Sequence, residues 1–395
     1  MSSAVGGERA IASVTGARTV LLVLEAGLQV FPATAAVRAY QYEDLFRTDP
    51  RIRATFVSRR SPRYIRLTER LIQHLWGRQL ARVLLLAEGP LVRRRERRIA
   101  RMAQVHDCVY MLRTTSASLY ELLWREGAAR VVTDINDALW LPIFRNEGHA
   151  YDDLPNVIRR SRAVVCENGY LADYARGFSG NVHVVPDAPQ LERFDEVRAE
   201  FRPPVDRVTL GWIGSSGTAD NLCSIFEPLE EVFARHEKLH LRVLGARPRD
   251  LPRFEKVRFS CLPSYTHREM IQEALQMNAG LFPLFRTTDS TARGTLKARV
   301  YMSAALPVIA TRWGLLPELI EHGVNGLLPD SPAEWVACLE RLVTQPAERV
   351  AIGLRGLTTV RQQYTRQACF DKLVEALISV MEPAARDTQR QVGTP

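Results

Sequence analysis

Two segments of this chain carry groups suited to holding a phosphate. Lys297 opens a predicted helix within residues 280–328, which run as loop, helix, short strand, glycine turn and second helix. A cation and the free backbone N–H groups of a helix start can face one anion together. The segment Gly214–Thr218 (GSSGT) follows a predicted strand. Its small residues let a backbone approach a ligand and its hydroxyls can bind phosphate, although a helix N-cap would explain the same hydroxyls.

A third polar group, Asp134, Asn136 and Asp137, also follows a predicted strand. Carboxylates in this position can bind a metal ion, act as a base or cap the next helix. Asn136 cannot act as a base, so a mechanism with two carboxylates is less credible here. The six cysteines are scattered, with no CxxC and no histidine cluster beside them. This spacing argues against a zinc site and favours a reduced, cytosolic chain.

Predicted strands and helices alternate along the chain, as in a doubly wound α/β fold with parallel sheets. A chain of 395 residues is too long for one core and indicates two domains. The predicted strands lie at 20–26, 108–113, 129–137, 163–168, 181–189, 208–216, 240–246, 257–262, 279–284 and 307–311. The predicted helices include 38–46, 67–80, 91–103, 118–127, 169–178 and a final one near 364–381.

These elements predict the following domain boundaries. Residues 1–16 form a flexible tail, 17–190 a first Rossmann-like domain, 191–207 a linker rich in proline and charge, and 208–363 a second Rossmann-like domain. Residues 364–382 form the final helix and 383–395 a second tail. The apolar run Val20–Leu28 is interrupted by Glu25 and too short to cross a bilayer. The run is better explained as a buried strand of a parallel sheet, followed by a turn at Gly27.

The net charge of +9 and the pI of about 9.5 favour anionic partners or a solvated basic surface. The densest basic run is Val92–Met102 (VRRRERRIARM). It suits either a patch for phosphates or an anionic membrane surface, or a surface helix with Val92, Ile99 and Met102 turned inward. The surface helix is the favoured interpretation. Nucleic acid is disfavoured because no nucleic-acid module is present and few aromatic residues interleave with the arginines.

Several blocks, taken in order, resemble the family 4-type glycosyltransferases that use nucleotide sugars. They are RAYQYEDLF, DCVYMLR followed by VVTDINDALWLP, ENGYLADYA, LGWIGSSGT, GLFPL, the helix of Lys297, LPVIATRWG and HGVNGLL. The resemblance covers about residues 20 to 380. It implies a GT-B fold, in which two Rossmann-like domains face a central cleft and the last helix crosses back to the first domain.

The resemblance also implies an enzyme that retains the anomeric configuration of its sugar and needs neither metal nor cofactor. The co-substrate would be a nucleotide-diphosphate sugar, linked to UDP, GDP or dTDP, bound mainly by the second domain. Without a metal, cations and helix N-termini neutralise the diphosphate. Lys297 matches the lysine of the family and is the first candidate for this role. Arg113 either lines the cleft or forms a surface salt bridge.

The chain departs from the family at two glutamates that contact the donor sugar and the ribose. Their positions fall near Ala292 and at Val300, so neither carboxylate is present. Ribose recognition is therefore expected to come from Thr295 or Asp289. The predicted donor-binding residues are Gly214, Ser215, Ser216, Thr218, Leu262, Asp289, Thr295, Lys297 and Tyr301. The predicted acceptor-side residues are Gly27, Arg38, Asp134, Asp137 and Asn168, with a structural role as the alternative for Asp134 and Asp137.

Three functions are open from the sequence. The leading one is a retaining glycosyltransferase, in which the leaving phosphate takes the proton of the acceptor. The others are a GT-B nucleotide-sugar epimerase, which would need acid–base residues that are not found, and a non-catalytic relative that binds sugar nucleotides. The acceptor is a small natural product or a glycan or lipid-linked molecule, attacking through oxygen, nitrogen or sulfur. A cytoplasmic chain is expected, with possible peripheral contact with the inner face of an anionic membrane.

Overall fold

We describe the fold from a computed structural model of the chain. It describes residues 16–25, 38–61, 77–112, 116–127, 130–141, 153–204, 206–251 and 257–381, with the backbone alone from 77 to 87. The chain divides into two compact units. Unit 1 comprises Met1–Pro186 and Cys369–Pro395, and unit 2 comprises Asp187–Ala368. The two predicted tails lie outside the described residues, apart from Gly16.

Unit 1 contains a six-stranded parallel sheet. Its strands are β1 (Arg18–Leu24), β2 (Ile52–Ser58), β3 (Cys108–Leu112), β4 (Val131–Ile135), β5 (Ala163–Cys166) and β6 (Val182–Val184). They lie in the order β2-β1-β3-β4-β5-β6, and every pairing is parallel. The order reverses at β1, which lies between β2 and β3. The carboxyl ends of β1 and β3 therefore form a topological switch point, where sheets of this kind bind ligands.

Unit 2 contains a five-stranded parallel sheet. Its strands are β7 (Val208–Ile213), β8 (Leu239–Leu244), β9 (Phe259–Leu262), β10 (Ala279–Phe282) and β11 (Val308–Ala310). They lie in the order β11-β10-β7-β8-β9, again with parallel pairings only. The switch point of this sheet lies between the carboxyl ends of β7 and β10. Both sheets confirm the predicted α/β class with two doubly wound units.

The helices that cover the sheets are mostly short. They are α1 (Glu43–Thr48), α2 (Gly77–Ala103), α3 (Ala117–Arg125), α4 (Leu154–Arg160), α5 (Gly169–Arg176), α6 (Leu191–Val197), α7 (Asp220–Cys223), α8 (Phe226–Arg235), α9 (His267–Leu275), α10 (Thr288–Thr291), α11 (Leu296–Ser303), α12 (Leu316–Leu319), α13 (Pro332–Thr344), α14 (Pro346–Gln363) and α15 (Arg366–Ser379). Short 3₁₀ turns lie at Tyr40–Tyr42, Ser216–Thr218 and Pro248–Asp250.

Most of α15 belongs to unit 1, although its first turn belongs to unit 2. Phe370 packs edge-on against Phe46 of α1, with ring centroids 4.8 Å apart. Arg51, just before β2, donates to the carboxylate of Asp371 at 2.7 Å. Aromatic packing and one ion pair thus attach the end of the chain to the first sheet.

Three elements differ from the sequence-based prediction. β2 was not predicted, because it lies at the sheet edge and its residues are only partly buried, in contrast to the buried apolar run of β1. α2 continues through Pro90, where a break before a second helix was expected; residues 67–76 lie outside the described residues. The predicted linker 191–207 contains α6, since Phe194 and Val197 pack into the core of unit 2.

No described helix is long and apolar enough to span a membrane. The longest, α2, has 27 residues but carries a run of arginines in its second half.

Candidate functional site

The switch point of unit 2 brings together the two segments that the sequence marked for phosphate. The loop Gly214–Thr218 follows β7, and the segment from Leu284 to Lys297 follows β10. β7 and β10 are neighbours in the sheet and parallel. Both segments therefore leave the same edge of the sheet, and the helix start at Lys297 lies at the end of the second.

The loop after β7 is an exposed turn built from small residues. Ser215 caps the 3₁₀ turn Ser216–Thr218: its backbone N–H donates to Thr218 Oγ1 at 3.0 Å, and its carbonyl accepts from the Thr218 N–H at 2.9 Å. Ser216 Oγ donates to the carboxylate of Asp250 at 2.7 Å. Ser215, Ser216 and Gly217 are exposed, so backbone and hydroxyl groups of this loop are open to a ligand.

Two glycines hold this loop close to its supports. A β-carbon on Gly214 would lie 1.9 Å from Trp212 Cη2, so only glycine lets the chain pass over the indole. Gly245, after β8, has φ +87°, and a β-carbon there would lie 2.1 Å from the Gly214 carbonyl oxygen. A side chain at either position would displace the loop.

Trp212 connects this loop to α11. The indole is buried at the end of β7, under Gly214, and Lys297 Nζ lies 5.7 Å from the centroid of the Trp212 ring. A cation at this distance over an indole is attracted by the π electrons of the ring. The sequence analysis passed over Trp212. No local sequence rule marks an indole that packs beneath a turn, so its position under Gly214 is seen only in the structure.

Lys297 is the second residue of α11 and only partly accessible to solvent. Desolvation by the surrounding protein lowers the pKa of its ammonium to about 8, and the positive charge of Arg293 acts in the same direction. No carboxylate or carbonyl in the described part of the chain pairs with it. An unpaired, desolvated cation is costly unless a ligand supplies the counter-charge. The site is thus prepared for an anion.

Tyr301, one turn after Lys297, fixes α11 to the sheet. It is fully buried, and its hydroxyl accepts from the Ile213 N–H of β7 at 2.7 Å and donates to the Leu281 carbonyl of β10 at 3.2 Å. A β-carbon on Gly280 would lie 2.3 Å from the ring, so glycine is needed beneath it. With both hydrogen bonds directed at strands, the hydroxyl positions the helix and the lysine that it carries.

Three other predicted donor-binding residues lie around this edge. Asp289 lies in α10 and is partly exposed, and its carboxylate has no partner in the described chain. Thr295 is the residue before α11, and its hydroxyl makes no capping hydrogen bond. Leu262 ends β9, where its carbonyl accepts from the Gly245 N–H at 2.8 Å. Asp289 and Thr295 therefore have polar groups left for a ligand.

The two positions where the resemblance expects glutamates are apolar and buried. Ala292 is 7% exposed and Val300 is 9% exposed, and Val300 packs in the core of unit 2. These positions offer a ligand no carboxylate.

The acceptor-side candidates Arg38 and Asp134 form a buried ion pair in unit 1. Arg38 Nε lies 2.9 Å from both carboxylate oxygens of Asp134, and Arg38 Nη1 donates to the Val185 carbonyl at 3.0 Å. Tyr110 of β3 donates its hydroxyl to the same carboxylate. Burial, followed by the charge of Asp134, raises the pKa of Tyr110 well above its usual range.

This pairing bears on the two roles left open for Asp134. Its side chain has no exposed surface, and that of Arg38 is 2% exposed. The pair joins the segment before the 3₁₀ turn Tyr40–Tyr42 to β4 and to the chain just after β6. This burial and pairing favour the structural role for Asp134 over the acceptor-side role.

The remaining candidates in unit 1 are less informative. Asn168 caps α5, accepting from the Leu171 N–H at 3.0 Å. Asp137 is partly exposed just after β4. Gly27 and Arg113 lie outside the described residues. Among the described side chains, no group of three or more His, Cys, Asp or Glu could hold a metal ion.

A charge network at the switch point of unit 1 was missed by the sequence analysis. Arg59, just after β2, pairs with Glu25 at the end of β1 and donates to Glu96 of α2 at 2.8 Å. Glu96 also accepts from Ser116 Oγ, the N-cap of α3, at 2.8 Å. The interleaved Arg and Glu residues of α2 had been assigned to a solvated surface, so no periodic signal pointed to a buried Glu96.

Comparison with known proteins matches the second unit to a family. Residues 207–345, which contain β7 to β11 and the site around Lys297, match the model of the family "Glycosyl transferases group 1". The match lies within unit 2. This confirms the expected similarity to glycosyltransferases for the part of the chain that holds the candidate site.

A curated relative and two solved structures extend the comparison. The chain is 24% identical over 232 residues to the D-inositol 3-phosphate glycosyltransferase of Corynebacterium jeikeium, covering 53% of this chain and about half (54%) of that protein's length. HepE of Anabaena, solved with UDP and glucose, is 14% identical with a TM-score of 0.64, covering 92% of this chain and 100% of that one.

The second solved structure is the UDP-forming α,α-trehalose-phosphate synthase of Burkholderia xenovorans. It is 12% identical, has a TM-score of 0.61, and covers 93% of this chain and 100% of that chain. At such identities the likeness concerns the fold. The segment that matches the group 1 model therefore lies in a chain whose two doubly wound units have the GT-B fold.

Proposed function

We propose that this protein is a glycosyltransferase that moves a sugar from a nucleotide-diphosphate donor to an acceptor nucleophile. The observation that carries the proposal is Lys297, a desolvated cation without a partner in the described chain, at the start of α11 and the switch point of a group 1 domain. The diphosphate of the donor supplies the missing counter-charge. Lys297, the N–H groups of the first turn of α11 and the exposed loop Gly214–Thr218 together bind it.

The proposed chemistry needs no metal ion and retains the configuration of the sugar. The bond between the anomeric carbon and the diphosphate breaks while the acceptor attacks from the same face. The departing phosphate oxygen takes the proton of the acceptor, so no protein base is required. Lys297 then stabilises the negative charge that grows on the leaving diphosphate, which is where a fixed cation lowers the barrier.

Recognition of the nucleoside is assigned to different residues than in the family pattern. Because Val300 and Ala292 are buried and apolar, the ribose hydroxyls are proposed to bind Asp289 and Thr295, whose polar groups are unpaired. The donor base is proposed to be uracil, ahead of guanine and thymine. This choice rests on the structural neighbours that were solved with UDP or named for forming it.

The acceptor is proposed to bind unit 1. With Arg38 and Asp134 paired to each other, the polar edge of that unit is at the carboxyl ends of β1 and β2, beside the switch point, where Glu25, Arg59 and Arg60 lie. Carboxylates and guanidinium groups together suit a hydroxyl-rich acceptor, such as a sugar or polyol, since hydroxyls both donate and accept.

One observation favours a second function, a non-catalytic protein that binds sugar nucleotides. The two carboxylates that would contact the donor sugar and the ribose are absent, and buried Ala292 and Val300 lie at or near their positions. Such a protein would still use Lys297 and the loop Gly214–Thr218 to bind the diphosphate. The two functions differ in turnover and not in nucleotide binding.

The test is calorimetric binding of UDP, GDP, dTDP, ADP and CMP to the full chain in the presence of a chelator. We expect one nucleoside diphosphate, UDP first, to bind more tightly than CMP, which lacks the second phosphate. Added Mg²⁺ should leave its affinity unchanged. Absence of binding to every diphosphate would overturn the site. Binding that requires Mg²⁺ would overturn the metal-independent chemistry.

A second measurement separates the two functions. The protein is incubated with the sugar nucleotide of the base that binds, with and without a panel of polyol acceptors, and release of the free diphosphate is followed. Release that depends on the acceptor supports the transferase. Tight binding with no release under any condition supports the non-catalytic protein.

A further inference from the structure

Helix α2 carries an arginine-rich face that the proposed transfer chemistry does not use. We call the arginine face the surface lined by Leu91, Arg94, Arg95, Arg98, Arg101, Met102 and Val105. Those from Leu91 to Met102 follow the helical spacing of three and four, so they lie on one side of α2, and Val105 lies in the turn just after it. They enclose a shallow, open groove of about 600 Å³.

The positive charge of α2 is not balanced by the acidic groups beside it. Arg93, Arg94, Arg97 and Arg101 are exposed, and none has an acidic partner in the described chain. The nearby acid of the same helix, Glu96, is buried and already binds Arg59 and two serine hydroxyls. The surface of α2 therefore presents concentrated positive charge to an external anion.

One arginine of the face also has an unused donor. Arg95 Nη1 is buried without a hydrogen-bond partner. Across the helix, a second groove of about 410 Å³ is lined by Arg93, Arg97 and Arg125 beside Trp124, whose buried indole N–H has no acceptor either. Both sides of α2 therefore carry more hydrogen-bond donors than the described protein groups satisfy.

Two exposed aliphatic side chains mark the ends of the arginine face. Leu91 is 54% exposed and Val105 is 77% exposed. Leu91 lies in α2, and Val105 lies in the turn that follows the helix. Met102 lies between them and lines the same groove, where the sequence analysis had turned it inward. Aliphatic groups flanking arginines on one helix face are the composition of an interfacial helix.

The opposite side of α2 holds the helix rigidly to unit 1. Val92, Glu96, Ile99 and Ala100 are buried. Glu96 binds Arg59 and the N-cap Ser116, which flank the carboxyl edge of the first sheet. Whatever the arginine face binds is thus held at a fixed position relative to that edge.

We propose that the arginine face docks this protein on a lipid bilayer that contains anionic phospholipids. The arginines pair with the headgroup phosphates while Leu91 and Val105 enter the interface. A bilayer fits better than a soluble polyanion, because the exposed aliphatic ends gain nothing from a hydrated polyanion. The proposal does not depend on transferase activity, since it concerns binding alone.

The test is sedimentation of the full chain with vesicles of phosphatidylcholine, pure or mixed with phosphatidylglycerol. We expect binding only to the mixed vesicles, and weaker binding as salt is raised. The triple variant Arg94→Gln/Arg98→Gln/Arg101→Gln should bind them roughly 100-fold more weakly. The variant Leu91→Ser/Val105→Ser should bind about tenfold more weakly without any change in net charge.

Matched controls change the same residue types elsewhere. Arg18→Gln/Arg162→Gln/Arg268→Gln alters three exposed arginines, and Val350→Ser/Leu354→Ser alters two aliphatic residues that are 56% and 52% exposed. Both controls should bind mixed vesicles like the unchanged protein. All sites are on the surface, and thermal unfolding verifies that each variant is folded.

Three outcomes would overturn the proposal. They are no binding to the mixed vesicles, an equal loss in the arginine controls, and binding to heparin without binding to vesicles. The last would identify a site for a soluble polyanion. UDP affinity, measured on the same samples, should not change in any of these variants, so failure here and failure of the nucleotide site are distinguishable.

Discussion

The carboxyl edges of the two parallel sheets differ in whether their charged side chains are paired. At the edge of unit 2, the Lys297 ammonium is desolvated by the surrounding protein and has no partner in the described chain. In unit 1, Asp134 is enclosed by Arg38 and Tyr110, and Glu25 and Glu96 are bound to Arg59. One edge leaves a cation unpaired in the described chain, whereas the charged side chains named at the other edge are paired with one another.

This difference helps to distinguish charged residues that bind a ligand from charged residues that stabilise the fold. A buried charge that is paired and hydrogen-bonded is a structural feature, since removing one partner leaves the other as an uncompensated buried charge. A desolvated charge without a partner raises the energy of the empty site and is relieved when a counter-ion binds. By this criterion we expect Lys297 to belong to a binding site and Asp134 to have a structural role.

The largest effect on the free energy of unfolding is expected when one partner of the buried ion pair is removed. Asp134→Ala leaves the Arg38 guanidinium buried without its counter-ion and the Tyr110 hydroxyl without its acceptor. The free energy of unfolding should fall by about 3–5 kcal/mol. Urea denaturation measures the change. If Asp134 instead contacts a substrate, the variant will retain its stability.

A surface ion pair in the same unit is the matched control. Arg176 binds Asp173 at 2.6 Å, and the two side chains are 53% and 76% exposed. Asp173→Ala should therefore cost less than about 1 kcal/mol. A loss as large as that of Asp134→Ala would show that burial does not distinguish the two pairs.

The next effect is expected at the unpaired charge. Lys297→Ala removes the cation that neutralises the leaving diphosphate, and should lower transition-state stabilisation by roughly 2–4 kcal/mol. UDP affinity and turnover of the sugar nucleotide measure this loss. The free energy of unfolding should rise or stay level, in contrast to Asp134→Ala, because a desolvated charge has been removed.

Lys238→Ala provides the control for the change in net charge. Lys238 is exposed in the turn before β8 and lies in the same unit. Its replacement should leave UDP affinity unchanged. Full activity of Lys297→Ala would refute the assignment of Lys297, whatever the control shows.

The fold was predictable where buried strands are long and apolar. β1, β3 and β7 are such runs, and their alternation with helices marks the doubly wound pattern. β2 was missed because an edge strand buries one face only partly and includes Arg53 among its residues. α6 was missed because its charged residues resemble a linker, and only the contacts of Phe194 and Val197 show that it belongs to the core.

The candidate site was predictable in its backbone and less so in its side chains. Lys297 and the loop Gly214–Thr218 were found because a helix start and a glycine loop have local signatures. The pairing of Arg38 with Asp134 joins residues 96 positions apart. No local pattern distinguishes a carboxylate that faces a ligand from one that faces a buried guanidinium, so that assignment needed the tertiary structure.

The smallest expected effect is the pH dependence of UDP affinity. Burial lowers the pKa of Lys297 to about 8, so the ammonium loses its proton in the free protein as pH rises from 7.5 to 9. A terminal phosphate has its last pKa near 6 and does not change over this range. UDP should therefore bind up to about tenfold more weakly at pH 9, where about a tenth of the lysine stays charged.

Stability should move the other way over the same range. A lysine whose pKa is below its ordinary value binds fewer protons in the folded than in the unfolded chain, so the free energy of unfolding increases with pH above 8. The gain should be on the order of 1 kcal/mol between pH 8 and pH 9. Lys297→Met should remove this gain and the decline in UDP affinity together. Stability and affinity that fall together in the unchanged protein would contradict a desolvated, unpaired lysine at this edge.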